Sequence, residues 1–210
     1  MAILEVLAHQ VAARGAHPFL RHAGREVTYG EFDRLSNRAA HALATLGVTK
    51  GDRVTLALGN SVEYVVAAFA ILKAGGVLNP VNPALGAEEL GFILAHAGPR
   101  VIITDAASAA NVMAARPPAS TVAAFGPLAD VASLDDLMAR SPDGPPPVAI
   151  GPDDPSTLLY TSGTTGNPKG VVFTHGRTGT SGPHFIAALG LTPADTILAV
   201  TPLFHGNAWG

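Results

Sequence analysis

The 210-residue sequence lacks cysteine, has little charge and contains no long hydrophobic run. Without cysteine, disulfides, zinc–thiolate sites and thiol catalysis are excluded. Thirteen basic against sixteen acidic residues disfavour binding to nucleic acid or an anionic membrane, since both need a basic excess. The longest apolar run, Val65–Leu72, has eight residues, short of the roughly 20 that span a bilayer. The N-terminus lacks the basic region of a signal peptide, so we expect a cytoplasmic protein with no transmembrane segment.

Helical and strand-like patterns alternate along the chain. Thr28 and Glu31 have the spacing of a capping box before an amphipathic helix, and Asn60 with Glu63 predicts the start of the next helix. Two further helices are predicted, and short apolar runs predict strands at 54–58, 77–78, 101–104, 121–124, 157–160, 171–174 and 196–200. Such alternation predicts an α/β fold, with a parallel-rich sheet and helices on both faces.

A proline-rich segment divides the sequence. Residues 141–155 contain six prolines, which remove backbone donors and disfavour helices and interior strands. The segment is therefore predicted to be a linker. It separates an N-terminal α/β subdomain, residues 1–140, from the start of a second subdomain, residues 156–210.

Between two predicted strands lies a loop of small polar residues. Residues 160–170, YTSGTTGNPKG, hold four hydroxyl side chains besides the tyrosine, three glycines and one of the chain's three lysines. Glycines let a backbone approach phosphates closely, while hydroxyls, N–H groups and an ammonium bind their oxygens. The loop is a candidate triphosphate cradle, although the same residues suit an ordinary hairpin turn. Lys169 lies between Pro168 and Gly170, which excludes a Walker A loop.

A second candidate motif, TPLFHGNAWG, occupies residues 201–210. It contains His205 and Trp209, the only tryptophan. From the residues alone, a structural histidine and an aromatic packed in the core remain open alternatives. No metal-ligand spacing relates the other histidines considered, which are His9, His17, His22, His41, His96 and His184. The pair Asp135-Asp136 is predicted to begin a helix.

The string TSGTTGNPKG at 161–170, followed by VVFTH, resembles the signature loop of the adenylate-forming (AMP-dependent synthetase/ligase) superfamily. This superfamily includes acyl-CoA synthetases, peptide-synthetase adenylation domains and luciferases. Upstream strings, among them VTYGEFDRLSNRAAHAL and AEELGFILAHAGPRVII, extend the resemblance over nearly the whole chain. Ala84 and Gly86 depart from the usual pattern. The resemblance implies the N-terminal part of the adenylate-forming fold, with layered parallel-rich sheets, in truncated form.

The resemblance also implies a reaction in two steps. A carboxylate attacks the α-phosphate of ATP to give acyl-AMP and pyrophosphate, and the thiol of CoA then takes the acyl group. The residues that would bind the ATP phosphates are Thr161, Ser162, Gly163, Thr164, Thr165, Gly166 and Lys169. Lys169 and His205 would be catalytic, and Thr161 would help to ligate Mg²⁺.

The segment FHGNAW is similar to the second signature of fatty acyl-CoA synthetases. By that resemblance His205 lies beside the acyl carboxylate and Trp209 gates the acyl tunnel, so the acid is expected to be a medium- or long-chain fatty acid. The family's adenine, ribose and C-terminal lysine motifs have no match. We therefore expect an N-terminal portion that does not catalyse adenylation alone. The alternatives are a non-catalytic nucleotide- or acyl-binding remnant, or a fragment of an aryl-CoA ligase or peptide-synthetase adenylation domain.

Overall fold

The computed structural model describes residues 2–161, 168–177 and 182–206. Its helices are α1 Ile3–Arg14, α2 Tyr29–Thr45, α3 Val62–Lys73, α4 Ala87–Ala97, α5 Ala109–Ala115, α6 Leu134–Ala139 and α7 Gly182–Leu189. Its strands are β1 Pro18–His22, β2 Arg25–Thr28, β3 Arg53–Leu56, β4 Val77–Pro80, β5 Val101–Thr104, β6 Thr121–Ala124, β7 Ala132–Ser133, β8 Pro155–Thr161 and β9 Lys169–Thr174. Across these described ranges, no helix combines the length and apolar character needed to cross a membrane.

Seven strands form one mostly parallel sheet in the order β7-β6-β5-β3-β4-β8-β9. Neighbouring strands from β7 to β8 are parallel, whereas β9 returns antiparallel to β8. The short strands β1 and β2 form a separate antiparallel pair. The predicted α/β fold with a parallel-rich sheet is confirmed.

Helices cover both faces of this sheet, as the side chains of β5 illustrate. Val101 and Ile103 belong to the larger apolar core with residues of α2 and α3, while Ile102 belongs to a second core with residues of α4 and α5. Successive side chains of a strand point to opposite faces. The parallel strands are therefore buried on both sides, which explains their almost uninterrupted apolar sequences.

Local capping agrees with the sequence for α2 but differs for α3. The Thr28 hydroxyl accepts a hydrogen bond from the backbone N–H of Glu31, as predicted. At α3 the cap is Ser61, whose hydroxyl accepts from the N–H of Tyr64 at 3.0 Å, so the prediction of Asn60 as the cap was wrong. A serine directly after the asparagine can accept the same bond with α3 starting one residue later, and it leaves the amide of Asn60 for other contacts.

The strand predicted at 196–200 is not formed, and this expectation was wrong. Ile197, Leu198 and Val200 are 74%, 82% and 80% exposed. A strand needs a neighbour to satisfy its backbone groups, and among the described strands none pairs with this segment. β-branched, apolar composition was therefore insufficient to predict it.

The proline-rich segment is held along its length by the N-terminal part of the chain. Asn37 donates to the backbone oxygen of Asp143 at 2.8 Å, and Lys50 donates to that of Ala149 at 2.9 Å. Lys50 also forms an ion pair with Asp154 at 2.6 Å. After this segment, β8 joins the same sheet as the strands that precede it. The division into subdomains at 141–155 stays a prediction.

His175 follows β9 and is buried, with 1% of its surface exposed. Neither ring nitrogen has a hydrogen-bond partner among the described residues. Burial lowers the pKa of His175 below its ordinary value of 6.5, because an apolar environment disfavours the imidazolium; the Asp154 carboxylate opposes this shift. The folded protein therefore holds this histidine neutral more strongly than the unfolded chain does.

This burial predicts a pH-dependent stability. The unfolded chain binds a proton at His175 more readily than the folded chain does, so stability is full above about pH 6.5 and falls as the pH drops through the lowered pKa. His175→Leu should reduce the loss in the free energy of unfolding between pH 7.5 and pH 5.5, measured by urea denaturation. His22→Gln, at an exposed position, is the control. An equal pH dependence in wild type and His175→Leu would contradict the assignment.

Candidate functional site

The carboxyl ends of β3, β4 and β8 meet at one edge of the sheet, because the three strands are parallel neighbours. Ligands of open α/β sheets bind in the crevices beyond this edge. The loop that follows β8 is the one singled out by its hydroxyls, glycines and lysine. The topology thus puts the predicted phosphate loop where this fold class binds ligands.

The loop connects the two strands of an antiparallel hairpin. Thr161, the last residue of β8, is the register partner of Lys169, the first residue of β9, and both are exposed. Gly170 lies opposite Tyr160, and a Cβ there would come within 2.9 Å of the Leu158 Cδ1 atom. A side chain at position 170 would therefore have to displace the end of the Leu158 side chain. The other predicted phosphate ligands, Ser162, Gly163, Thr164, Thr165 and Gly166, lie outside the described residues.

Lys169 differs from the other two lysines in its surroundings. Lys50 is paired with Asp154, and Lys73 contacts Asp33 at 2.7 Å in the largely buried contact between α2 and α3. Burial lowers the pKa of Lys73, partly offset by its hydrogen bond to Asp33. Within the described ranges no carboxylate lies within 4.0 Å of the Lys169 ammonium. Its charge is therefore available to an anion at the mouth of the hairpin.

The second motif is anchored to the segment that follows β3. The Asn60 side chain accepts from the N–H of Leu203 at 2.7 Å and donates to the oxygen of Thr201 at 3.3 Å. The Tyr64 hydroxyl donates to the oxygen of Leu203 at 2.9 Å. Leu203 packs partly buried against the larger core, whereas His205 is exposed. Trp209 lies outside the described residues.

The two motifs lie next to each other in the fold. A Cβ built on Gly206 would be 3.3 Å from the Leu159 Cδ1 atom, so the residue after His205 contacts β8. Leu159 precedes Thr161 by two positions. The structure therefore brings together Thr161, Lys169 and the segment carrying His205 at one edge of the sheet.

Two asparagines organise this edge, and neither was assigned that role from the sequence. Asn60 holds the second motif, as described above. Asn79 in β4 is fully buried; its amide accepts from the Thr55 hydroxyl at 2.8 Å and donates to the oxygen of Leu158 at 3.0 Å. The sequence does contain a signal for such a role, which is a polar residue inside an apolar strand or directly after it. An amide buried at such a position must find hydrogen-bond partners.

A cavity of about 570 Å³ lies at the same edge of the sheet but away from the hairpin, beyond the carboxyl end of β6. Its lining includes Gly126, Leu128, Asp135 and Asp136, and none of the predicted site residues. Two carboxylates make this cavity unfavourable for phosphate groups. The hairpin mouth, with an ammonium and a hydroxyl, is the better candidate for an anionic ligand.

The contacts of Asn60 predict a contrast with its neighbour. Asn60→Ala should increase hydrogen exchange in residues 201–206, because two hydrogen bonds to that segment are lost. Ser61→Ala should lower the free energy of unfolding by about 1 kcal/mol, as expected for a lost helix cap, without increasing exchange in residues 201–206. Hydrogen exchange read by mass spectrometry, with urea denaturation, compares the variants. Equal exchange of residues 201–206 in both variants would contradict the role given to Asn60.

Comparison with known proteins gives one consistent assignment. Residues 7–210 match the family described as AMP-binding enzyme. The chain is 36% identical over 179 residues to the long-chain-fatty-acid–CoA ligase FadD13 of Mycobacterium tuberculosis, covering 85% of this chain and 36% of that protein. The chain thus spans about a third of the length of such relatives.

Solved structures give the same assignment. The anthranilate CoA ligase AuaEII, in complex with anthranoyl-AMP, superposes with a TM-score of 0.91 at 26% identity, covering 100% of this chain and 42% of that one. The N-terminal domain of FACL13 from M. tuberculosis superposes with a TM-score of 0.89 at 34% identity, covering 99% and 52%. The chain therefore belongs to the AMP-binding enzyme family.

Proposed function

We propose that this chain carries the ATP-phosphate-binding part of an AMP-forming acyl-CoA ligase. In the proposed reaction a carboxylate oxygen attacks the α-phosphate of ATP, pyrophosphate leaves, and acyl-AMP forms. The thiol of CoA then attacks the acyl carbon and AMP leaves. Both the fatty-acid ligase FadD13 and the anthranilate ligase AuaEII support this class of reaction.

The observation that carries the proposal is the pairing of Thr161 and Lys169 at the mouth of the hairpin. The Lys169 ammonium would offset part of the negative charge on the β- and γ-phosphates, and the Thr161 hydroxyl would donate to a phosphate oxygen. We assign the same role to the hydroxyl and N–H groups of Ser162, Gly163, Thr164, Thr165 and Gly166. Phosphoryl transfer depends on positioning and charge stabilisation, so groups that hold the departing pyrophosphate contribute to the rate.

The chemistry of the donor set also fits Mg²⁺ at Thr161. Mg²⁺ is bound through few protein oxygens and completes its shell with water and substrate phosphates. The exposed Thr161 hydroxyl supplies one such oxygen next to the proposed phosphate position. A bound Mg²⁺ would offset negative charge on the phosphates. With or without the metal, Thr161 ends β8 and pairs with Lys169 in the ladder between β8 and β9.

For the acid, we propose a medium- or long-chain fatty acid, with His205 beside its carboxylate and Trp209 along its chain. The segment FHGNAW and the similarity to FadD13 favour a fatty acid. The similarity to AuaEII favours an aromatic acid instead, which makes an aryl-CoA ligase the second candidate.

Removing the charge of Lys169 tests the phosphate site. Lys169→Ala should weaken the binding of Mg²⁺·pyrophosphate about tenfold or more, because a hydrogen bond to a charged group contributes about 1.5–3 kcal/mol. Isothermal titration calorimetry on the 210-residue chain measures the dissociation constants. Arg21→Ala, which removes one exposed cation on β1, is the matched control and should leave binding unchanged. Wild-type affinity in Lys169→Ala, or no binding by the wild type, would refute the proposal.

The single tryptophan allows a separate test of the acid. Because Trp209 is the only tryptophan, tryptophan emission, excited selectively over that of the three tyrosines, reports on the second motif alone. Decanoate should change the emission saturably, and His205→Ala should weaken that change because the carboxylate loses its partner. Benzoate at the same concentrations should change it less. A stronger, saturable response to benzoate would favour the aryl-CoA ligase, and no response to decanoate would contradict the fatty-acid proposal.

A further inference from the structure

Tyr160, the residue before Thr161, connects β8 to α4. Its hydroxyl lies 2.6 Å from the Nδ1 atom of His96, and the two rings meet edge-on with centroids 5.7 Å apart. Phe92, one turn earlier on α4, stacks on His96 with centroids 6.2 Å apart and an interplanar angle of 9°. The Tyr160 ring also packs against the second apolar core. The three rings thus link a helix on one face of the sheet to the base of the phosphate loop.

This link occurs beyond the point where β4 pairs with β8. The backbone ladder between β4 and β8 contains the single pair Leu78–Thr157 among the described residues. The Asn79 amide adds a bond to the oxygen of Leu158. Residues 159–161 have no ladder partner on β4 within the described chain, and their backbone pairs with the edge strand β9. The Tyr160–His96 contact therefore restrains the last part of β8.

We propose that Tyr160 and His96 are positioning residues, which hold Thr161 and Lys169 at the mouth of the hairpin in the arrangement that binds phosphates. The inference rests on the proposed function, because it assigns to α4 the positioning of that same phosphate site. Neither residue needs to touch the ligand. They act through the backbone, since Tyr160 pairs with Gly170 and the next pair along the ladder is Thr161 with Lys169.

The chemistry of the pair suits a permanent contact. Burial raises the pKa of Tyr160 above 10.0, so the phenol stays neutral at physiological pH. A neutral phenol can donate to a neutral imidazole or accept from a protonated one. The phenol and the imidazole are thus matched as hydrogen-bond partners at the observed distance of 2.6 Å.

Removing the hydrogen bond between Tyr160 and His96 from either side tests the inference. Tyr160→Phe retains the ring and removes the hydroxyl, and it should weaken Mg²⁺·pyrophosphate binding about threefold to tenfold, the effect of one lost hydrogen bond. Hydrogen exchange should also increase at residues 159–161 and 169–171. His96→Leu should have the same two effects. His96→Asn should restore both properties, because the asparagine amide occupies the place of Nδ1.

Tyr29→Phe is the matched control, since Tyr29 lies at the start of α2 and contacts Phe19. It should change neither exchange at the hairpin nor pyrophosphate affinity. If Tyr160→Phe retains wild-type affinity, or if His96→Asn loses as much as His96→Leu, the inference is overturned. If the wild type binds no pyrophosphate, the proposed function fails. Hydrogen exchange then tests the restraint of the hairpin by α4 separately. Increased exchange in Tyr160→Phe supports that restraint, and unchanged exchange overturns it.

Discussion

The junction between β4 and β8 determines where the candidate site lies. At this junction the buried amide of Asn79 accepts from Thr55 in β3 and donates to the backbone of Leu158 in β8, so that one side chain joins three strands. Leaving such a group unpaired costs about 1–3 kcal/mol, which favours this one arrangement of the strands. Because β8 also runs parallel to β4, its carboxyl end and the loop beyond it reach the edge of the sheet where α/β folds bind ligands.

The proposed phosphate site depends on local charge, because the chain as a whole is acidic. Its net charge of −3 offers no general attraction for anions, and two of the three lysines are paired with carboxylates in the structure. Lys73 ties α2 to α3, and Lys50 ties the proline-rich segment to the N-terminal part. Among the three lysines, the proposed phosphate contact therefore falls to Lys169, together with the donors around it. Asn60 brings the second motif to the same edge, so the phosphate and acid parts of the proposed site are adjacent.

Sequence periodicity was sufficient for the parallel sheet because buried strands and capped helices leave strong local patterns, as at 101–104 and after Thr28. The candidate loop was also found from sequence, since its residue types are those that bind phosphate. Contacts between segments that are distant in the sequence could not be predicted from local patterns. Asn60 has the sequence appearance of a helix cap, yet its partners are about 140 residues away. Likewise, nothing local predicts that Tyr160 meets His96, or that the segment at 196–200 lacks a strand partner.

The proposed function requires that the β8–β9 hairpin and the segment at 201–206 form one site for a nucleoside triphosphate and its acid partner. Hydrogen exchange with and without saturating Mg²⁺·ATP measures this most directly. We expect exchange to slow together in residues 157–177 and 201–206, and to stay unchanged in β1 and β2. Protection instead at the cavity lined by Gly126 and Asp135, or no protection of the hairpin, would contradict it.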